Sequence, residues 1–311
     1  MAEINPALVK TLREKTNAGM MDCKKALTEA GGDLEKAEAL LRQKGIASAG
    51  KKAGRAAKEG VITANIQASG RVGVIAEINC ETDFVAKNDI FTKFVKEIAE
   101  EISSDAAAGV ASLDQMLEIK LRSSGLALKD AFAAKTAELG ERMLLRRFDR
   151  FEIPAGSEGI VASYIHLQGK VGVLVEVAST SEEAAKSDSF RELVKDITLQ
   201  IAAASPTVVS RDQVDQVLVA SEREIYKAQV QGKPENIVEK IVDGKMDKFF
   251  STACLLEQAC IKNPDITVSE LLASKGKELG GATLTVRRFA RYLVGEDAAG
   301  AVNTDGEEEA V

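Results

Sequence analysis

The sequence predicts an α+β fold in which a helical N-terminal unit precedes two repeated core subdomains. Alternate residues from Val72 to Cys80 are apolar, which is typical of a half-buried strand, and apolar residues from Phe91 to Ile102 recur at helical spacing. This strand–helix segment occurs twice, because Glu59 to Ile98 aligns without gaps with Glu158 to Ile197. Residues 1 to about 46 carry helix signals only.

Three helices are predicted in the N-terminal unit. Asn5 is a suitable N-cap for the first, with Pro6 at its first helical position, where a missing N–H costs nothing. The second spans residues 20–30 and is ended by two glycines. Asp33 can cap the third, which is expected to stop at Gly45. A basic stretch from Lys51 to Lys58 follows and is interpreted as a solvated linker.

The core subdomains follow one plan. The first begins with a strand hairpin, Val61 to Ile66 and Arg71 onwards, and its next helix starts at Asp89. The remaining predicted elements are helical stretches from Leu113 to Arg122 and from Leu126 to Leu139, and a closing strand from Met143 to Phe151. The end of that strand resembles Arg287 to Tyr292, so the second copy is longer and must contain an insertion.

The insertion is predicted to be an antiparallel helical hairpin. Ser210 to Val230 and Glu235 to Cys260 have helical spacing, and Gly232-Lys233-Pro234 between them is a strong turn signal. The expected divisions are 1–55 for the three-helix domain and linker, 56–152 and 153–295 for the core subdomains, about 210–260 for the hairpin, and 296–311 for a disordered acidic tail.

Composition narrows the classes of function. The chain has 311 residues and a net charge of −7, which argues against a general nucleic-acid binder. No apolar run reaches the roughly 18 residues of a membrane span, and the N-terminus has no signal-peptide pattern. The four cysteines form no CxxC pair, so neither a zinc site nor a disulfide framework is expected. These features predict a cytoplasmic protein without a metal or cofactor.

Catalytic motifs are scarce. The single histidine, His166, lies in a strand pattern and aligns with Gln67 of the other copy, which favours a surface strand residue over a catalytic base. An enzyme would have to use a cysteine such as Cys23 or Cys80. Met20 and Met21 lie at a loop–helix corner, where thioethers suit either a binding surface or ordinary core filling.

Phe84 lies at the corner between the strand and the helix of the first copy. Thr82 is a suitable N-cap there, which places Phe84 in the first helical turn. An aromatic residue is most often part of the core, but the aligned residue of the second copy is Glu183, and a core position seldom accepts glutamate. The core interpretation and the binding interpretation are therefore about equally favoured.

Three stretches of the chain resemble the bacterial elongation factor Ts family. They are Leu12-Arg13-Glu14-Lys15-Thr16-Asn17-Ala18-Gly19-Met20-Met21-Asp22-Cys23-Lys24-Lys25-Ala26-Leu27, then Asn79-Cys80-Glu81-Thr82-Asp83-Phe84-Val85-Ala86-Lys87-Asn88, and finally the Gly232-Lys233-Pro234 turn with Glu239 to Phe249 after it. The stretches occur in the family's order and extend over nearly the whole chain.

The resemblance implies a guanine nucleotide exchange factor, without covalent chemistry, that binds elongation factor Tu in its GDP-bound or nucleotide-free form. The resemblance also implies that the N-terminal domain is ubiquitin-associated-like (UBA-like). It implies that the chain binds neither a membrane nor, directly, a nucleic acid. A homodimer within a 2:2 complex with elongation factor Tu is compatible with it. The implied partner-binding residues are Thr82, Asp83, Phe84, Val85, Lys87, Asn88, Leu12, Met20 and Met21. A module that uses residues 1–55 for ubiquitin-like partners remains the alternative.

Overall fold

A computed structural model describes residues 5–16, 18–230 and 234–296, except the side chains of residues 46–49. Its helices are α1 (Pro6–Thr16), α2 (Met20–Glu29), α3 (Leu34–Lys52), α4 (Asp83–Ala86), α5 (Asp89–Ile102), α6 (Leu113–Leu117), α7 (Leu128–Leu139), α8 (Glu182–Lys186), α9 (Asp188–Ala204), α10 (Gln216–Ala228), α11 (Glu235–Ala253) and α12 (Val268–Glu278). Its strands are β1 (Glu59–Ile66), β2 (Val72–Cys80), β3 (Leu144–Glu152), β4 (Glu158–His166), β5 (Val171–Ser179) and β6 (Leu284–Leu293). This combination confirms the predicted α+β class.

The helices α1, α2 and α3 enclose a small apolar core. The Asn5 side chain accepts the Ala7 N–H at 2.9 Å, and the Asp33 carboxylate accepts the Glu35 N–H at 3.0 Å. Both predicted caps are therefore confirmed. The buried residues between the helices are Leu12, Cys23, Ala26, Leu27 and Ala37.

Helix α3 is longer than predicted, because Gly45 lies inside it and the helix continues to Lys52. A Cβ atom at Gly45 would lie 3.3 Å from the Cβ atom of Ala137 in α7. Glycine here permits a close approach of two helices and does not end one. The Lys52 ammonium donates to the Gly140 carbonyl at 2.8 Å, so the start of the predicted linker is a helix that contacts the core.

The strands form two antiparallel three-stranded sheets, in the orders β1-β2-β3 and β4-β5-β6. The middle strands β2 and β5 are buried at all nine of their residues. The prediction of a half-buried β2 is wrong. One face of the first sheet is covered by α5 and α7, and the other packs against the second sheet, so even the residues between the predicted apolar positions are buried.

Two glycines at matching positions of the repeat permit the sheets to approach closely. A Cβ atom at Gly73 would lie 2.6 Å from Cγ1 of Val161 in the opposite sheet, and one at Gly172 would clash with the Ile62 side chain. The Gly within the repeated Val-Gly-Val sequence is therefore required by sheet-on-sheet packing.

A buried glutamate in the middle strand of each sheet pairs with an arginine of the neighbouring strand. Glu77 pairs with Arg147 at 2.8 Å, and its counterpart Glu176 pairs with Arg288 at 2.7 Å. The Arg147 guanidinium lies over a ring of the second sheet, Tyr292, with 4.1 Å from Cζ to the centroid. The Arg288 guanidinium correspondingly lies 4.3 Å from the ring centroid of Phe151 in the first sheet. Each copy therefore stacks an arginine on an aromatic residue of the other.

Helices α10 and α11 occupy the predicted insertion and contact each other, with Arg223 and Asp243 paired at 2.7 Å. The predicted turn at Gly232 and Lys233 lies outside the described residues, as does the predicted tail after Glu296.

Three predicted helices are shorter in the structure. Helix α10 begins at Gln216 instead of Ser210. Helix α6 ends at Leu117 instead of Arg122, and α11 ends at Ala253 instead of Cys260. The residues that follow form isolated β-bridges in both places, which engage backbone groups that a longer helix would use.

Candidate functional site

Residues 80–88 form the corner between β2 and α5. The Thr82 hydroxyl oxygen accepts the Val85 N–H at 3.4 Å, which confirms the predicted cap of α4. The Asn88 side chain accepts the Ile90 N–H at 2.8 Å and caps α5. Two consecutive caps therefore hold a four-residue helix between them, with Val85 half-buried and Asn88 exposed.

Phe84 projects from this short helix into solvent, and 82% of its surface is exposed. Its counterpart Glu183 is also exposed, whereas the neighbouring Ala86 is buried in the first core. The comparison of the two copies left the core and binding interpretations about equally favoured, and the exposure of Phe84 places it outside the core. A single large aromatic side chain in water is a candidate contact residue for a partner.

Asp83 and Lys87 form an ion pair one helical turn apart, with 2.7 Å between Oδ2 and Nζ. The hydrogen bond from Lys87 lowers the pKa of Asp83 below its ordinary value, and the same contact raises the pKa of Lys87. Glu182 and Lys186 pair in the same way in the second copy. The pair therefore belongs to the repeated unit, and the aromatic residue is the feature that distinguishes the first copy.

Carboxylates beside the Phe84 helix were missed by the sequence analysis. Glu141, in the turn between α7 and β3, accepts the Thr82 N–H at 3.0 Å and the Thr82 hydroxyl at 2.7 Å. Glu81 accepts the Arg142 N–H at 2.6 Å and lies 3.4 Å from the Arg55 guanidinium. The second copy has Thr180 and Ala282 at the matching positions, so comparison of the copies shows the difference in sequence, but only the fold brings Glu141 to Thr82.

The N-terminal candidates separate into exposed and buried residues. Met20 and Met21 are 59% and 63% exposed at the start of α2. Leu12 is 0% exposed, within the core of the helical bundle. The Leu12 side chain holds the bundle together in the free chain, and of these three residues only the two methionines are exposed. A partner contact of Leu12 stays a prediction.

His166 lies at the exposed end of β4. Its Nδ1 atom is 2.9 Å from the Tyr164 hydroxyl, and the two rings are stacked. An apolar cavity of about 410 Å³ adjoins them, and Ile261 is exposed at its edge. This arrangement lacks an acidic partner for the imidazole, so it resembles a contact surface more than a catalytic dyad.

The cysteines offer no nucleophile. Cys23 and Cys80 are fully buried, and burial raises the pKa of the Cys80 thiol to about 12. The Cys80 S–H donates a hydrogen bond to the Thr82 carbonyl at 3.2 Å, so the thiol already has a partner within the fold.

Within the described ranges, residues 5–16, 18–230 and 234–296, no cluster of three or more His, Cys, Asp or Glu side chains could hold a metal ion. Nor does any helix there have the length and apolar character that crossing a membrane requires.

The chain is similar to known proteins along most of its length. The family model described as Elongation factor TS matches residues 81–296. Elongation factor Ts of Clostridium novyi (strain NT) is 43% identical over 296 residues, which cover 94% of this chain and 93% of the relative. Elongation factor Ts of Clostridium botulinum (strain Okra / Type B1) is 44% identical over 297 residues, with the same two coverages. Elongation factor Ts of Clostridium kluyveri (strain NBRC 12016) is 43% identical over 295 residues, again with these coverages.

Proposed function

This chain belongs to the elongation factor Ts family of translation elongation factors, and we propose that it binds elongation factor Tu and promotes the release of GDP. GTP can then rebind to the GTPase. The observation that carries this proposal is the 82% exposure of Phe84. The fold does not require an aromatic residue at this position, because the matching residue of the second copy is Glu183.

Exposure of Phe84 supports a binding role on energetic grounds. A phenylalanine buries some 150–250 Å² when it enters an apolar pocket, and large aromatic side chains dominate the energetics of protein interfaces. In the free chain that area remains in contact with water. A partner that covers it gains the transfer free energy, whereas the free fold gains nothing from it.

Exchange needs no bond to be made or broken. An exchange factor that prefers the nucleotide-free GTPase lowers the affinity of the GTPase for nucleotide. Bound nucleotide lowers the affinity of the GTPase for the exchange factor by the same coupling factor. GDP and Mg²⁺ order the switch segments of GTPases through phosphate and metal contacts. We propose that Phe84 inserts beside a switch-region helix and disturbs those contacts, which speeds the departure of GDP.

The neighbours of Phe84 have supporting roles in this proposal. Asp83 and Lys87 present a paired charge beside the aromatic ring, and Thr82, Val85 and Asn88 fix the short helix that carries it. Met20 and Met21 supply a second, flexible apolar contact from the N-terminal helices.

The remaining proposals concern the setting. We place the activity in the cytoplasm, where translation takes place, and propose that the chain performs no covalent chemistry and needs no cofactor, membrane or nucleic acid. The exposed apolar residues of α10 and α11 support an additional contact, with the GTPase or with a second copy of this chain. These residues are Val217, Leu218, Ile225 and Ile237.

The test is the rate at which a fluorescent GDP analogue leaves purified elongation factor Tu in excess unlabelled GDP. We expect the full chain to accelerate release by at least an order of magnitude in a concentration-dependent, saturating manner. Release at the uncatalysed rate, in spite of a folded chain, would contradict the exchange function. Binding without acceleration would support the alternative of a binding module.

A further inference from the structure

We propose that Glu141 is a positioning residue that holds the Phe84 helix in the orientation a partner meets. The inference rests on the proposed function and extends the same site to a residue distant in sequence. Glu141 acts through Thr82, to which it is hydrogen-bonded, and not through a contact of its own with the partner.

The geometry provides a continuous path from Glu141 to the aromatic residue. One carboxylate oxygen accepts the Thr82 N–H at 3.0 Å, and the other accepts the Thr82 hydroxyl at 2.7 Å. The same hydroxyl oxygen accepts the Val85 N–H within the first turn of α4. Hydrogen bonds to an ionised carboxylate are roughly twice as strong as neutral ones, so Glu141 fixes both the position and the rotamer of the cap.

A second carboxylate fixes the residue before the cap. Glu81 accepts the Arg142 N–H at 2.6 Å and pairs with Arg55 at 3.4 Å, while the Arg142 guanidinium donates to the Arg55 carbonyl. The segment after α3, the turn before β3 and the corner after β2 are therefore joined at one place. The corner cannot shift without breaking charged hydrogen bonds.

The short helix needs such support from outside. Helix α4 has four residues, which is far below the length at which a helix is stable by itself, and Ala86 is its only buried residue. Phe84 makes no contribution of its own to holding the helix, because its ring is in solvent. The orientation of the ring therefore depends on the cap and on what the cap is bonded to.

The second copy of the repeat is an internal control. The shared features recur there: Ser181 caps α8 by accepting the Ala184 N–H, and the Ser179 hydroxyl donates to the Ser181 carbonyl where Cys80 donates to Thr82. These interactions are sufficient for the fold of the corner.

The hydrogen bonds that Glu81 and Glu141 accept in the first copy do not recur in the second. Thr180, Ala282 and Thr283 align with Glu81, Glu141 and Arg142, and the corner is joined by two neutral hydrogen bonds, from the Thr283 N–H to the Thr180 hydroxyl and from the Thr180 N–H to the Thr283 carbonyl. The copy with the exposed aromatic thus has the ionised acceptors, and the copy with Glu183 does not. We infer that the ionised acceptors serve the presentation of Phe84 and not the folding of the repeat.

The first arm of the test measures the mobility of the ring in the free chain. The sequence contains no tryptophan, so F84W introduces a single tryptophan at the site, which can be excited selectively over the three tyrosines. We expect E141A in the F84W background to increase the amplitude of nanosecond depolarisation about twofold. The control is E118A, which removes an exposed carboxylate paired with Lys129 in the same subdomain and is expected to leave the depolarisation unchanged.

The second arm measures exchange with Phe84 in place. Loss of preorganisation reduces the fraction of binding-competent chain, so E141A should raise the half-saturating concentration for GDP release about tenfold while the maximal rate changes less than twofold. E141Q keeps the side-chain shape and one acceptor, and should give an intermediate value. If E141A fails to fold, the E141Q variant still tests whether Glu141 positions the Phe84 helix.

The outcomes separate the two proposals. Unchanged depolarisation in both E141A and E141Q overturns the positioning role, whatever the exchange assay shows. Increased depolarisation with an unchanged half-saturating concentration also overturns it, because the order of the helix would then be irrelevant to binding. If the unmodified chain does not accelerate release, the exchange function fails, and the depolarisation arm still decides whether Glu141 orders the helix.

Discussion

Asp149 and Tyr292 form a polar contact between the two sheets, with 2.7 Å from the tyrosine hydroxyl to the carboxylate. Burial raises the pKa of Asp149 above its ordinary value, although the hydrogen bond from Tyr292 and the nearby arginines Arg288 and Arg147 oppose that change. Burial and the neighbouring carboxylate also raise the pKa of Tyr292, so its hydroxyl stays protonated and donates. The contact has no counterpart in the repeat, because Ala290 aligns with Asp149.

The raised pKa of Asp149 gives a stability prediction with a defined sign. The folded chain holds this proton more tightly than the unfolded chain, so the group's contribution to stability is complete below about pH 4 and is lost as the pH rises through the folded pKa. Asp149→Asn removes this titration and retains an acceptor for Tyr292. We expect the free energy of unfolding of the variant, relative to the unmodified chain, to increase from pH 4.5 to 7.5 in urea titrations. A relative stability that decreases over this range would mean that the folded pKa is lowered.

At the scale of elements, α3 determines how the N-terminal helices are attached. It begins in the N-terminal core, continues past Gly45 and contacts α7 there, and it ends where Lys52 donates to the Gly140 carbonyl. A helix that spans both regions limits the freedom of the exposed methionines relative to Phe84. A glycine that looks like a helix stop in the sequence is therefore the residue that allows the attachment.

Gly45→Leu should loosen α3 from α7, because the added Cβ atom would lie 3.3 Å from the Cβ atom of Ala137, which is closer than side chains normally pack. We expect a destabilisation of about 1–3 kcal/mol and faster hydrogen exchange of the α3 amides. The matched control is Gly50→Ala in the same helix, where nothing lies within 4 Å, and a gain of about 0.5–1 kcal/mol is expected. Equal exchange protection in the Gly45 variant and the unmodified chain would contradict the close contact.

At the scale of the whole molecule, two copies of one unit share a buried face. Gly73 and Gly172 permit the approach, and each copy stacks an arginine on a ring of the other. The shared core of this face includes Ile62, Ile75, Val161 and Leu174. Because the shared face holds the two copies together, their outer surfaces can differ, as at Phe84 in the first copy and Glu183 in the second.

Gly73→Val tests this shared face. Its Cβ atom alone would come within 2.6 Å of the Val161 side chain, so the sheets would have to separate. We expect a loss of about 1–3 kcal/mol in urea unfolding. Gly244→Val, in the open surface of α11, is the control and should cost nothing measurable. If both variants have the same stability, the sheets are not in tight contact.

Local signals in the sequence predicted much of this fold. The caps at Asn5, Thr82 and Asp33 depend on a few neighbouring residues, and the strands could be recognised in two copies. The sequence did not predict the length of α3 or the double burial of β2, because each depends on a contact with a distant segment. The division into domains and the partner-binding residues remain predictions.

The candidate site was predictable only in part, because local signals can be seen in the sequence and contacts between distant segments cannot. The comparison with Glu183 made a binding role for Phe84 as favoured as a core role, and the family resemblance then selected Phe84 as a partner-binding residue. Glu141 was missed because its partner Thr82 is far away along the chain, and only the folded arrangement brings the carboxylate to the cap.

We propose that the first copy of the repeat serves in nucleotide exchange because it exposes an aromatic residue, Phe84. Phe84→Glu tests it most directly, since the second copy folds the same corner with glutamate and the variant should keep its unfolding midpoint. We expect the rate of GDP release from elongation factor Tu, at a fixed concentration of the chain, to fall at least tenfold, which corresponds to about 1.4 kcal/mol of lost coupling. Glu183→Ala is the matched control and should release GDP at the unmodified rate. A folded Phe84→Glu variant with undiminished release would contradict the claim.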